Sequence, residues 1–451
     1  MTQAPEKKNV ISRLYRWVYN GLERTVWMGI QYTYPRRFVS PLGYLGVLTG
    51  MTFLVLGVTG GFLMIYYQPT LAGCGNVTCA YNSVANINNS VPFGYMIRNI
   101  HYTASNAMVL LAILHLYYQY FSGRFKIKNE ILWVTGILLG IITGVEAYSG
   151  YDLLFNQRSG LAIEIGASLT NASPVIGTQL RLALFGSGFT DFILRLYSAH
   201  VFILPMIMLI LVFIHFPRYL VFDLPVIATF VGGLFLVAAI FPVALNVPYS
   251  PTNPQLTIPE WYLVGIYALL RTFYDKFVMG GLIPALFFLM AIVVPFVDTS
   301  KKLNWRDRPF FTALGITTIA QVLITTGWGF YINPNVSLTT LQRLYVNPTY
   351  YFASMLGVTA LSFIGTYAFL RYIKSKERVR KAVAPMGLVL SRRWVYIVFL
   401  LLIFAQVGMN LLAAQAVVLS LKNMVLFDTG AILITFGVMV HLYRYSQSLP
   451  F

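Results

Sequence analysis

The stretch RNIHYTASNAMVLLAILHLYYQY, residues 98–120, is apolar enough to lie in a bilayer and yet carries two histidines, His101 and His115. A second stretch, RLYSAHVFILPMIMLILVFIHFPR at 195–218, repeats the design with His200 and His215. Four of the five histidines in 451 residues therefore fall in two apolar helices, two in each. At roughly 100° and 1.5 Å per residue, fourteen positions bring His115 to within about 40° of His101 and about 21 Å further along. Fifteen positions leave His215 about 60° from His200 and about 22 Å along. Each helix offers one imidazole near each membrane face, on roughly one side. Two such helices packed together would hold two metal-centred groups stacked across the membrane.

A single histidine in an apolar helix is more often a hydrogen-bonded packing residue than a ligand. Ionisable residues at membrane depth are costly and tend to mark function, however, and two matched pairs argue against coincidence. Imidazole suits iron, and two axial imidazoles make a six-coordinate haem used for electron transfer. Zinc fits poorly, because histidines four turns apart on one helix cannot share an ion. The residues point to two bis-histidine haems, with His101, His115, His200 and His215 as iron ligands.

Hydrophobic residues make up 57% of the chain and charged ones 10%, with a mean hydropathy of +0.69, which places it among all-α polytopic membrane proteins. Apolar runs predict about ten spans, at 41–67, 101–121, 131–150, 198–216, 225–246, 280–297, 310–331, 351–371, 394–414 and 424–442. The N-terminus is polar, then amphipathic, with no visible cleavable signal. Residues 10–29 put Val10, Ile11, Leu14, Trp17, Val18 and Leu22 on one face, as in a helix lying on the inner membrane surface. The formal charge of +18 is not a nucleic-acid signature, because the basic residues cluster in alternate loops. Arg124, Lys126 and Lys128 form one cluster; Lys301, Lys302, Arg306 and Arg308 the next; and a run from Lys374 to Arg393 the last. By the positive-inside rule both termini are cytoplasmic and the excess charge faces anionic lipid. The sequons at Asn76, Asn88, Asn171 and Asn335, and the only two cysteines, Cys74 and Cys79, then fall on the outer side. With no other thiols, the cysteines either close a small disulfide or stay free; their spacing is not that of a covalent haem attachment.

The first span carries Gly46 and Gly60, the third Gly136 and Gly150, each pair fourteen apart. Close helix packing explains glycine in a membrane helix, but this interval equals that between His101 and His115. A flat macrocycle beside each histidine level needs a side-chain gap at those heights.

The sequence resembles cytochrome b of the cytochrome bc family of quinol-oxidising complexes, most nearly its chloroplast-type branch. The resemblance runs in order through TGGFLMIYYQPT, GYMIRNIH, LHLYYQYFSGRF, ILWVTGILLG, GYDLLFNQ, PVIG and RLYSAHVFILP. It continues through PEWY at Pro259–Tyr262, YALLRT at Tyr267–Thr272 and PFVDTSKKLNWRDRPF at 295–310, covering roughly 40–330. It implies a four-helix dihaem domain at 41–221 after a cytoplasmic segment 1–40. A C-terminal domain with the PEWY loop follows at 222–331, the counterpart of the chloroplast-type small subunit fused to the haem half. Residues 332–451 hold further spans that the resemblance does not explain.

The resemblance also implies roles. His101 with His200 would hold the outer haem and His115 with His215 the inner one; parallel running of the two helices gives the same pairing. Arg98 and Arg195 stand where the family has arginines, Arg98 beside a haem propionate, which suits a guanidinium. Glu260 and Tyr262, with Tyr151, would serve quinol oxidation, the glutamate taking a proton and turning it toward water. Pro259 and Trp261 would help wall the quinone ring, though interfacial aromatics are also ordinary anchors. Arg218 and Asp223 lie at the depth of an inner quinone site, or are simply loop charges. The implied partners are a Rieske-type iron–sulfur protein, other electron-transfer subunits and a second copy of the chain, in the plasma membrane of a prokaryote.

Some positions depart from the family. Leu154-Phe155 replaces a Pro-Trp pair, so the following turn is expected to differ. Asp152 adds an acid beside the outer site. Glu146 stands inside span three where an apolar residue is expected, either hydrogen-bonded to a neighbouring helix or on a proton path. Tyr44 replaces the cysteine that tethers an additional haem, so none is expected. One rival reading is a dihaem membrane anchor of a dehydrogenase or hydrogenase, which has no reason to carry PEWY on an outer loop. A non-redox transporter with incidental histidines is the other, and a missing haem absorption band would favour it.

Overall fold

The structure, a computed structural model, describes residues 41–71, 74, 77–126, 130–215, 223–250, 257–272, 274–332, 345–376 and 391–448. The segment at 10–29, Arg218, the Asn335 sequon and most of the basic run at 374–393 lie outside the described residues. Among those described there is no strand, only an isolated bridge between Asn156 and Pro248. The fold is that of an all-α polytopic membrane protein.

Four rods form the first half: α1 (Leu45–Tyr66), α3 (Gly94–Ser122), α4 (Glu130–Asp152) and α7, with the short α2 (Cys79–Asn89), α5 (Gln157–Asn171) and α6 (Gly177–Phe185) at their connections. Helix α7 runs through Phe189–Ser198, a π-helical turn Ala199–Ile203 and Leu204–His215. Helix α1 packs on α3, α4 on α7, and α3 on α4, closing a four-helix bundle. Polar residues inside these apolar rods spend their hydroxyl protons on the helix itself, as Thr49 does on the Leu45 carbonyl and Thr52 on that of Leu48. That satisfies the hydroxyl where no water reaches it.

The second half holds α8 (Leu224–Ile240), the short α9 (Val264–Leu270), α10 (a π-helical turn Val278–Leu282, then Ile283–Val297), α11 (Pro309–Tyr331), α12 (Pro348–Lys376), α13 (Arg392–Val418) and α14 (Lys422–Ser448). Nine described helices are long and apolar enough to cross a membrane. The tenth expected span is α8, which has 17 residues and stops at Ile240 rather than 246. Phe241-Pro242 ends it, because proline cannot donate the next helical bond. The residues beyond 332 divide between two places. Helix α12 packs on α11, whereas α14 packs on α8 with α13 behind it. At the seam Gly232 faces Gly430, and a Cβ on Gly232 would lie 2.6 Å from the Gly430 carbonyl oxygen.

The bundle has two distinguishable ends. At one, Cys74 and Cys79 form a disulfide with a Cα–Cα distance of 5.1 Å. At the other, Asp298, 2% exposed, receives Lys126 Nζ at 2.5 Å and Arg308 Nη1 at 2.6 Å. Arg308 Nη2 also donates to the carbonyls of Tyr120 (2.7 Å) and Phe121 (3.1 Å), tying the end of α3 to the start of α11. Removing Arg308 leaves one buried carboxylate oxygen of Asp298 and the Tyr120 and Phe121 carbonyls without their donor. Arg308→Met is expected to cost about 3–5 kcal/mol, read as a lower melting temperature of the purified protein. An unchanged melting temperature would show that the network does not hold these helices together.

Candidate redox and quinone site

The bundle brings the four histidines together in two pairs, one from α3 and one from α7 in each. The His101 and His200 ring centroids are 6.5 Å apart with planes at 79°, and those of His115 and His215 are 6.4 Å apart at 85°. One iron between two imidazole nitrogens, with metal–nitrogen bonds of about 2.0 Å, would set ring centroids roughly 6.3 Å apart. The spacing fits a single bis-imidazole metal at each level. Among the described residues no three of His, Cys, Asp and Glu come together as a metal-ligand group, so the donor set is paired imidazole.

The π turn explains how unequal spacings meet. Leu204 donates its N–H to the Ala199 carbonyl, five residues back, so one residue is looped out beside His200. The fifteen positions from His200 to His215 then act as fourteen, and the offset of about 60° closes to the roughly 40° of the partner helix. Pro205 follows immediately and has no N–H with which to resume the normal ladder.

Each histidine lies against a glycine of the neighbouring helix. A Cβ would meet the imidazole Cε1 at 3.0 Å from Gly46 (His115), 3.2 Å from Gly60 (His101), 2.8 Å from Gly136 (His215) and 2.5 Å from Gly150 (His200). The sequence reading gives this room to a macrocycle; in the structure the imidazole edge itself takes it. The residue before three of these glycines is a hydroxyl. Thr59 Oγ1 stands 2.9 Å from His101 Nδ1, Ser149 Oγ 3.0 Å from His200 Nδ1 and Thr135 Oγ1 3.3 Å from His215 Nδ1. All three hydroxyls already give their proton to a backbone carbonyl: Val55, Glu146 and Ile131. Each must therefore accept from the imidazole, which places the ring proton on Nδ1 and leaves the Nε2 lone pair for a metal.

The Pro259–Tyr262 loop is the second centre. Glu260, 8% exposed, takes Arg158 Nη1 at 3.0 Å and the Tyr102 hydroxyl at 3.2 Å. Tyr262 donates to the Ala147 carbonyl at 3.2 Å. Burial, with the charge of Glu260 adding to it, pushes the Tyr262 phenol above its usual value, so it stays a neutral donor. Trp261 is exposed and donates Nε1–H to Asn106 at 2.7 Å. It does not line the adjoining cavity, whereas Pro259 and Tyr262 do. That cavity, about 1270 Å³, runs from His115 and His215 past α5 to Pro259, Tyr262 and Arg271. It exceeds the roughly 300–1,000 Å³ of a single small-molecule pocket.

Other expected site residues fall differently. Arg98, 5% exposed, donates to Asn88 Oδ1 (2.9 Å) and to the carbonyls of Val243 (3.1 Å) and Ala244 (3.4 Å). Its Nε has no partner and no carboxylate meets it among the described residues. A buried cation without a counter-ion is costly, so a haem propionate suits it. Arg195 is turned elsewhere, giving Nη1 to the Leu182 (2.5 Å) and Ala183 (2.6 Å) carbonyls at the end of α6. Asp223 is held by Arg444 of α14 at 3.1 Å and by the Tyr44 hydroxyl at 3.2 Å, which makes it a clamp between the chain's first and last described helices. Tyr151 is buried, its hydroxyl without a hydrogen-bond partner among the described residues. Asp152 beside it is fully buried. Phe155, in place of a family residue, takes the left-handed conformation (φ 45°) and leads into Asn156, which caps α5 through Ser159 N at 3.0 Å. Tyr102, Arg158, Asn106 and the three hydroxyls are functional neighbours that sequence reasoning missed. A hydroxyl directly before three of the four spaced glycines is the one signal that could have shown the last of these.

A family model described as cytochrome b/b6/petB matches residues 32–220, and one described as cytochrome b (C-terminal)/b6/petD matches 250–352. A solved chain titled "Hyperthermophilic respiratory Complex III" is similar in fold, with a TM-score of 0.58 and 22% identity over 81% of this chain and 96% of that one. Two facing pairs of imidazoles, the glycines beside them and two matches in order along one chain lead to one conclusion: the chain belongs to the cytochrome b family of haem-binding membrane proteins, with its b6-type and petD-type halves fused.

Proposed function

We propose that the chain is the dihaem cytochrome b subunit of a quinol-oxidising respiratory complex. The observation that carries this reading is the pair of imidazole couples 6.5 and 6.4 Å apart, with the Glu260 loop beside the bundle that holds them. His101 and His200 would hold one haem, His115 and His215 the other, and Arg98 would meet a propionate. When bound, the haems supply one-electron chemistry at two depths, as carrying charge between quinol at one face and quinone at the other requires.

The protein's own groups do the rest. Pro259 and Tyr262 wall an apolar space for a flat ring, and Glu260 accepts a quinol hydroxyl proton there. Arg158 holds the Glu260 carboxylate in place until that proton arrives, and Tyr102 links it to the helix that bears His101. A proton on Glu260 weakens the Arg158 pair and frees the side chain to turn toward the outer aqueous phase. The proposed partners are a Rieske-type iron–sulfur protein that takes one electron of each quinol, other electron-transfer subunits and a second copy of the chain. The setting is a prokaryotic plasma membrane with both termini cytoplasmic.

Haem extraction and redox titration of the purified full-length protein test this reading. Two haems per chain, low-spin in both oxidation states, are expected. One haem, or a high-spin spectrum, would remove the paired ligation.

A further inference from the structure

A four-fold pattern surrounds the histidines. Counting back four residues from the packed glycines gives Leu42-x-x-Leu45-Gly46, Leu56-x-x-Thr59-Gly60, Leu132-x-x-Thr135-Gly136 and Glu146-x-x-Ser149-Gly150. Three levels carry leucine at the first position, and the level of His200 carries glutamate. On a helix, a residue four positions from the glycine shares the glycine's face. In the structure Glu146 Oε1 lies 3.2 Å from His200 Nδ1, beside the Ser149 hydroxyl at 3.0 Å. Because Ser149 gives its proton to the Glu146 carbonyl (2.9 Å), both oxygens facing Nδ1 are acceptors.

We propose that Glu146 is a positioning residue that lowers the redox potential of the haem held by His101 and His200, by accepting the His200 Nδ1–H. The inference rests on the dihaem reading above. A carboxylate behind a ligating imidazole fixes the ring and raises the basicity of the nitrogen that binds the metal. A more basic axial ligand favours the ferric over the ferrous state. Hydrogen bonding to axial ligands is one of the means by which a protein sets haem potential. Leucine, the residue at the three equivalent positions, has no acceptor to offer, so the chain separates its two haems in potential by changing one residue of a repeated motif.

The test is a redox titration of the purified full-length protein at one fixed pH, following the two haem bands separately. Glu146→Gln keeps the shape but offers a weaker acceptor, and Glu146→Leu removes the acceptor and restores the residue found at the other levels. Both are expected to raise the midpoint of one haem, changing its oxidised-to-reduced ratio about tenfold at a given ambient potential, roughly 59 mV. The other haem stays put. Midpoints unchanged in both variants, or both haems shifting together, would overturn the proposal. So would loss of one haem from both variants, which would leave Glu146 as a structural part of the pocket. A wild-type protein without two haems would instead defeat the dihaem reading, so the two failures are distinguishable.

Discussion

Replacement of His215 by leucine is expected to leave one haem per chain and to abolish electron transfer across the membrane, while the other haem keeps its spectrum. The His115 and His215 rings are 6.4 Å apart with no other imidazole at their level, and leucine offers nothing to a metal. Losing even a hydrogen-bonding partner behind a ligand costs about 10–100-fold, so loss of the ligand itself should exceed that. His115→Leu should give the same product, because both rings serve one iron. His101→Leu and His200→Leu should empty the other level. Low-temperature spectra of the four variants, with haem counts, are the measurement. If His101 and His115 variants lose the same spectral component, pairing by level is wrong.

Glu260→Gln is expected to slow quinol oxidation by about 10²-fold, the lower end of what a general base contributes. The single oxygen of glutamine can still accept from Arg158, and the Tyr102 hydroxyl lies within 3.4 Å of the same position, so the pocket keeps its shape. It cannot take a proton. Haem content and spectra should be normal, since the side chain touches neither histidine pair. Steady-state turnover with a soluble quinol across pH, alongside haem reduction driven from the opposite face, separates the two halves of the reaction. Unchanged turnover would remove Glu260 from the chemistry and leave the tetrapeptide as a turn.

The features legible in the sequence were those written into local spacing. Two histidines per helix, glycines at the same interval and apolar runs of membrane length are all local signals, and the structure keeps them except at the expected span 225–246, which ends early at Ile240. The hidden features are contacts between residues far apart in the chain. Arg158 reaches Glu260 across 102 positions, and Arg444 reaches Asp223 across 221. No helical period encodes either meeting. The π turn at His200 was missed because a fifteen-residue interval already looks nearly periodic, and only the backbone shows where the additional residue goes. Arg195 illustrates the reverse case. It stands five residues before His200, as the resemblance implies, yet the open carbonyls at the end of α6 lie within its reach and claim its guanidinium.

The packing of α14 on α8 has a consequence for how the chain is made. Helix α8 has 17 residues, about 25 Å of rise, against a hydrocarbon core of about 30 Å. Its glycine seam is complementary to α14, which is synthesised about 180 residues later. During synthesis the segment just after the dihaem bundle must therefore wait in the lipid while some two hundred further residues are inserted. The order of translation and the order of packing run against each other. The seam on α8 is closed only when α14 arrives.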